Sequence, residues 1–129
     1  MKKVSDLVAA ANAVVAHFPA AEAVSLHGAD DVVFVDLRDI RELWREGKVP
    51  GAYHCPRGML EFWIDPESPY AKEVFQQPKR FVFYCAGGQR SALAAKAAQD
   101  MGLSGVSHID DGFAGWRRAG APVETVEKK

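Results

Sequence analysis

The strongest constraint on the fold comes from two short runs of apolar residues that no polar residue interrupts. They are residues 32–35 (VVFV) and residues 81–84 (FVFY). Runs of this length, rich in β-branched and aromatic side chains, are typical of strands buried on both faces of a sheet. Helical patterns follow both runs, and strands that alternate with helices predict an α/β domain with a mainly parallel sheet.

The helical patterns have recognisable ends. Asp39 with Glu42 three residues later forms a capping box that predicts a helix start, and Gly47 predicts its end. An Ala-rich helix is expected over residues 90–101. Shorter elements complete the alternation: strand candidates at 52–55 and 106–109, and a final turn and helix at 112–118.

The N-terminal part of the chain has a different pattern. Residues 1–28 are expected to be a helical segment packed on the domain that residues 29–125 form. Apolar residues between positions 4 and 18 fall on one helical face, and a second short helix is expected at 19–26. The alternative is an export signal, because two lysines precede an Ala/Val-rich stretch, but polar residues interrupt that stretch. No segment is long and apolar enough to span a membrane.

Composition narrows the classes of function. A net charge of −1 over 129 residues provides no extended basic surface for nucleic acid or an anionic membrane. Two cysteines are too few for a disulfide framework and lack the spacing of a metal site, which favours a reducing, cytoplasmic location. The four histidines also lack ligand spacing, so we expect no metal or other cofactor.

The main chemical feature is the position of Cys85. It ends a predicted strand and precedes Gly87, Gly88 and the start of a helix. The amides of such a loop and of the first helical turn have no partner inside the helix, so they can bind an anion or stabilise a thiolate. Arg90 adds a permanent positive charge. Two reactions use this layout: transfer of sulfane sulfur, and hydrolysis of phosphate esters, which also needs an acid for the leaving group.

Three motifs resemble the signatures of the rhodanese homology domain. They are residues 35–39 (VDLRD) with 47–52 (GKVPGA), residues 84–91 (YCAGGQRS), and residues 111–116 (DGFAGW) with 120–123 (GAPV). Three motifs in the same order form a specific signal. The resemblance implies a single α/β domain with a central parallel sheet of about five strands, flanked by helices on both faces.

The resemblance also implies a function for the loop. Cys85 would be the nucleophile that carries a persulfide, and the loop residues Ala86, Gly87, Gly88, Gln89 and Arg90 would bind the anionic group of the donor. The expected partners are a small anionic sulfur donor such as thiosulfate and an acceptor that is a thiol, cyanide or a protein, without nucleic acid or membrane. The six residues from Cys85 to Arg90 match the sulfurtransferase loop, whereas related cell-cycle phosphatases have one residue more. A phosphatase, an arsenate reductase-like enzyme, and a persulfide carrier or protein-binding module without turnover stay as alternatives.

Three further features have two interpretations each. Asp36 and Arg38 can brace the loop or form a structural ion pair. Cys55 can resolve an oxidised Cys85 or simply pack. The apolar and aromatic residues within 59–75 can line the pocket or a partner surface, or fold back onto the core.

Overall fold

The computed structural model describes all 129 residues, and its centre is one parallel sheet of five strands. The strands are β1 (Ala16–Phe18), β2 (Val32–Asp36), β3 (Tyr53–His54), β4 (Arg80–Tyr84) and β5 (Val106–Ile109). Their order in the sheet is β1-β5-β4-β2-β3, and every neighbouring pair is parallel. The predicted α/β class and five-stranded sheet are therefore confirmed.

Six α-helices flank the sheet. They are α1 (Val4–Asn12), α2 (Ala20–Ala23), α3 (Ile40–Glu46), α4 (Leu60–Ile64), α5 (Gln89–Asp100) and α6 (Gly112–Arg118). Short 3₁₀ turns lie at 24–26, 57–59 and 73–76. None of these helices combines the length and the apolar composition that crossing a membrane requires.

The core lies on both faces of the sheet. One apolar cluster includes residues of α4 and α5, and the other includes residues of α2 and α6. In β2, Val35 belongs to the first cluster and its neighbour Phe34 to the second. Successive side chains of a strand point to opposite faces, so a sheet covered on both faces requires the uninterrupted apolar runs that the sequence shows.

The N-terminal segment differs from the sequence prediction. α1 ends at Asn12, and the expected helical face does not continue to Phe18, because residues 16–18 form β1 and pair with the free edge of β5. Pairing with β5 gives the backbone groups of residues 16–18 hydrogen-bond partners in the sheet. The segment therefore extends the sheet and does not extend the helix. The helix expected at 19–26 is present as α2 and the 3₁₀ turn that follows it. The division of the chain at residue 28 stays a prediction.

Candidate active site

Cys85 lies directly after β4, at the edge of the sheet where the parallel strands end, and α5 begins four residues later. Its side chain faces the loop: the Gly88 N–H donates to Cys85 Sγ at 3.2 Å, and the Ser91 N–H donates to it at 3.4 Å. Open α/β sheets place their sites at this edge. The sulfur therefore lies where backbone amides at the N-terminus of a helix favour negative charge.

Gly88 gives the loop this shape. Its φ of +100° is unfavourable for residues with a side chain, and a Cβ at this position would overlap the carbonyl of Asp110. At Gly87, by contrast, a Cβ would meet no atom within 4 Å. The loop approaches the turn after β5 so closely at Gly88 that only glycine fits there.

The first turn of α6 holds the loop from behind. The Phe113 N–H donates to the Cys85 carbonyl at 2.8 Å, and the Ala114 N–H donates to the Ala86 carbonyl at 3.1 Å. The amides of residues 86, 87, 89 and 90 make no hydrogen bond with the backbone. The fixed carbonyls and these amides give the loop the polarity of an anion cradle.

A cavity of about 190 Å³ opens above the sulfur. It is lined by Cys85, Gly87, Gln89 and Arg90. Four of the six residues expected at the site therefore share one cavity, while Ala86 and Gly88 are not among its lining residues. The lining contains one charged side chain, that of Arg90.

The Arg90 guanidinium is paired with a carboxylate that the sequence analysis assigned only to a helix cap. Arg90 Nη1 donates to Glu42 Oε2 at 2.9 Å and Nη2 donates to Oε1 at 3.0 Å. The same carboxylate accepts the Asp39 N–H at 2.9 Å, as the capping box predicts. These hydrogen bonds, above all those from Arg90, lower the pKa of Glu42, so this carboxylate is ionised at neutral pH.

Behind the sulfur lies a second set of residues that the sequence analysis did not assign. Ser91 Oγ lies 3.6 Å from Cys85 Sγ and 2.9 Å from His108 Nδ1, and His108 Nε2 lies 2.7 Å from Asn12 Oδ1. Ser91 and His108 are fully buried. Burial lowers the pKa of His108 to about 4, so the ring is neutral at physiological pH.

Asp36 and Arg38 form a fully buried ion pair beside the loop. Arg38 Nη2 donates to Asp36 Oδ2 at 2.8 Å and to the Gly47 carbonyl, and its guanidinium lies 4.3 Å from the centre of the Phe113 ring. The pair thus ties the end of β2 to the end of α3 and to α6. These contacts support the structural interpretation of both residues.

Cys55 is also fully buried, within the apolar cluster that α4 and α5 cover. Burial raises the pKa of its thiol to about 12, and both cysteines are free. A thiol of this kind is a poor nucleophile at neutral pH, which supports the packing interpretation.

Some aromatic residues of the segment 59–75 pack on the core and others are exposed, so each of the two interpretations fits part of the segment. Phe75 is buried in the core, and Trp63 packs against the same cluster. Phe62 and Tyr70 are exposed, with ring centres 6.4 Å apart. None of these aromatic residues lines the Cys85 cavity.

Comparison with known proteins agrees with this architecture. The sequence model of the rhodanese-like domain family matches residues 19–119 of this chain. A mouse protein named thiosulfate sulfurtransferase/rhodanese-like domain-containing protein 3 is 29% identical over 74% of this chain and 64% of its own. Thiosulfate sulfurtransferase GlpE of Pseudoalteromonas translucida is 28% identical over 80% of this chain and 90% of its own.

A solved structure is similar over nearly the whole chain. It is a protein of unknown function from Rhodopseudomonas palustris, described as a possible tyrosine phosphatase, with 58% identity, a TM-score of 0.94 and coverage of 96% of both chains. The chain spans 64%, 50% and 32% of the first three curated relatives that it matches. The matched domain, the sheet order and the loop that holds Cys85 lead to one assignment: the chain belongs to the rhodanese-like domain family.

Proposed function

We propose that the protein is a sulfurtransferase that carries sulfane sulfur as a persulfide on Cys85. The observation that carries the proposal is the position of Cys85 Sγ, which accepts the amides of Gly88 and Ser91 at the base of a cavity. A sulfur held in this way can act as a thiolate and then remain anionic as a persulfide. The relatives named as thiosulfate sulfurtransferases support this reaction class.

The reaction is a double displacement. The Cys85 thiolate attacks the outer sulfur of thiosulfate, the sulfur–sulfur bond of the donor breaks, and sulfite leaves with the bonding electrons. An acceptor such as cyanide or a thiolate then attacks the outer sulfur of the Cys85 persulfide. Thiocyanate or a new persulfide leaves, and the Cys85 thiolate is restored.

The loop supplies the electrostatic part of this route. The free amides of residues 86, 87, 89 and 90 bind the anionic part of the donor, and Arg90 adds its guanidinium at the cavity wall. Partners that fit are therefore small anionic donors and acceptors that are thiols, cyanide or a protein thiol. Both cysteines are free, which supports a reducing compartment such as the cytoplasm.

A phosphatase is the second candidate, because the Rhodopseudomonas palustris relative is described as a possible tyrosine phosphatase. Hydrolysis of a phosphate ester needs an acid that protonates the leaving group. The carboxylate beside the cavity is that of Glu42, and its pairing with Arg90 keeps it ionised. The length of the loop between Cys85 and Arg90 also favours sulfur transfer, so we rank the phosphatase below the sulfurtransferase.

One set of assays separates the candidates. Wild type, Cys85→Ser and the matched control Cys55→Ser are given thiosulfate or 3-mercaptopyruvate with cyanide, and separately para-nitrophenyl phosphate or arsenate with a thiol reductant. We expect thiocyanate from wild type and Cys55→Ser and none from Cys85→Ser. Phosphate release or arsenate reduction that depends on Cys85, without thiocyanate, would replace the proposal. A persulfide that forms without turnover and passes only to a protein thiol would identify a carrier.

A further inference from the structure

A buried network of hydrogen bonds connects Cys85 with the end of α1. It runs from Cys85 Sγ to Ser91 Oγ at 3.6 Å, then to His108 Nδ1 at 2.9 Å, and from His108 Nε2 to Asn12 Oδ1 at 2.7 Å. The members come from the loop after β4, from α5, from β5 and from α1. Ser91 and His108 are fully buried, while Asn12 is partly exposed at the end of α1.

The direction of these hydrogen bonds depends on the proton of one ring. A neutral imidazole has one N–H and one lone pair. Because Asn12 Oδ1 is an acceptor, His108 Nε2 carries the proton and Nδ1 accepts from the Ser91 hydroxyl. The Ser91 oxygen then faces the sulfur as an acceptor, which fits a Cys85 thiol that donates its S–H.

A thiolate requires the opposite direction. The Ser91 hydroxyl would then donate to the sulfur and accept from His108 Nδ1–H, and His108 Nε2 would accept from Asn12. The Asn12 amide can provide either partner, because rotation exchanges an oxygen acceptor for an NH₂ donor of nearly the same shape. Burial keeps the His108 ring neutral, since it lowers the pKa to about 4, so the ring changes its tautomer and not its charge.

We propose that His108 is a positioning residue whose tautomer switches with the protonation state of Cys85, so that Ser91 accepts from the thiol and donates to the thiolate. The inference rests on the proposed function only in that Cys85 is the reacting group. The protons balance: the thiol proton passes to Ser91, the hydroxyl proton passes to His108 Nδ1, and the Nε2 proton leaves to solvent water when the partly exposed Asn12 amide rotates away from the ring. The hydrogen-bond network thereby allows the Cys85 thiol to lose its proton while a sulfur donor covers the cavity.

Charged groups near the hydrogen-bond network also affect the protonation of His108 and Cys85, so the experiment has to account for them. His17 of β1 lies with its ring centre 5.6 Å from that of His108, and its Nδ1 is 2.8 Å from Asp110 Oδ2. The charge of His17 lowers the pKa of His108, and that of Asp110 raises it. On the cavity side, Arg90 lines the same cavity as Cys85 and is paired with Glu42. A His17→Gln background therefore removes the imidazole whose ring lies beside that of His108.

The direct test is nitrogen NMR of ¹⁵N-histidine-labelled His17→Gln protein across the pH range in which Cys85 becomes reactive towards iodoacetamide. We expect His108 to carry its proton on Nε2 below that range and on Nδ1 above it. In the additional Cys85→Ser variant, the tautomer should stay the same throughout. A His108 tautomer that does not change as Cys85 titrates would overturn the proposal.

A variant of Asn12 gives a second readout. Asn12→Asp replaces an amide that can donate with a carboxylate that only accepts, so as long as the ring is neutral the network is held in the direction that suits the thiol. The nitrogen NMR signals of His108 in the same variant show whether the ring is neutral. We expect the pH midpoint of Cys85 alkylation to move upwards by about one unit. Ala13→Asp places the same charge on the neighbouring exposed residue, outside the chain, and should move the midpoint much less. Equal shifts in both variants would show that charge alone causes the effect and would contradict the proposal.

Neither the NMR experiment nor the alkylation experiment needs a sulfur donor, so the proposal can fail independently of the sulfurtransferase assays.

Discussion

Arg90 and Glu42 meet side by side at the Cys85 cavity, with two hydrogen bonds of 2.9 and 3.0 Å between guanidinium and carboxylate. The charged group of the cavity lining is thus paired before any donor arrives. Glu42 is held in turn by the amide of Asp39, which fixes the carboxylate at the start of α3. Under the proposed function, an anionic donor has to compete with Glu42 for Arg90, and the loop amides have the larger part in binding the donor.

The first prediction concerns this competition. Glu42→Gln removes one negative charge and keeps an oxygen that can accept the Asp39 amide. We expect KM for thiosulfate to fall about fivefold, the effect of a partly exposed charge pair. Steady-state thiocyanate formation measures it. Asp39→Asn, which removes a carboxylate from the same helix end without touching Arg90, serves as the control. A rise in KM would mean that Glu42 orients Arg90 and does not compete with the donor.

The second prediction concerns the glycines of the loop. Gly88→Ala introduces a Cβ where φ is +100° and the Asp110 carbonyl is in the way, whereas Gly87→Ala meets no atom within 4 Å. The backbone conformation alone costs about 1–2 kcal/mol, and the overlap adds to this. We expect Gly88→Ala to lower both activity and urea stability, and Gly87→Ala to remain stable. Equal stability of the two variants would show that the loop is not held against the turn after β5.

The third prediction concerns the two thiols. Burial raises the pKa of Cys55 to about 12, so the native protein should react with iodoacetamide once per chain at mildly alkaline pH. Mass spectrometry should place that adduct on Cys85, in wild type and in Cys55→Ser alike. Unfolding in urea should make both thiols reactive. An adduct on Cys55 in the native protein would contradict its role as a packed residue.

The fourth prediction concerns pH and His108. Burial lowers the pKa of this residue from 6.5 to about 4, so the unfolded chain binds a proton at a higher pH than the folded one. The contribution of the neutral His108 to the free energy of unfolding is therefore fully present above about pH 6.5 and is lost as the pH falls towards 4. Between pH 7 and pH 5 this contribution to the free energy of unfolding decreases by about 2 kcal/mol. Urea unfolding at both pH values should show a smaller loss for His108→Phe than for wild type, and equal losses would contradict the assignment.

The sequence was sufficient for the features that local patterns determine. The runs at 32–35 and 81–84 predicted the central strands because a sheet covered on both faces needs apolar residues at every position. The strand, the glycines and the helix start around Cys85 predicted the course of the loop, because adjacent residues set its shape. β1 was missed because three residues carry too little periodicity to identify a strand.

The contacts that complete the site could not be read from spacing. Glu42 lies 48 residues before Arg90, and Asn12 lies 96 residues before His108. They meet because β4 lies between β5 and β2 in the sheet and because α1 packs against α5. The capping box placed Glu42 at a helix start but gave no information on what its second oxygen binds. A buried histidine that hydrogen-bonds to the serine after the loop has no local signal at all.

Sulfur transfer through Cys85 is tested most directly by the intact mass of the protein after incubation with thiosulfate and then with cyanide. We expect a gain of about 32 Da, the mass of one sulfur, on wild type and on Cys55→Ser, its removal by cyanide, and no gain on Cys85→Ser. The absence of an adduct on wild type with thiosulfate and with 3-mercaptopyruvate, or an adduct of the same mass on Cys85→Ser, would contradict sulfur transfer through Cys85.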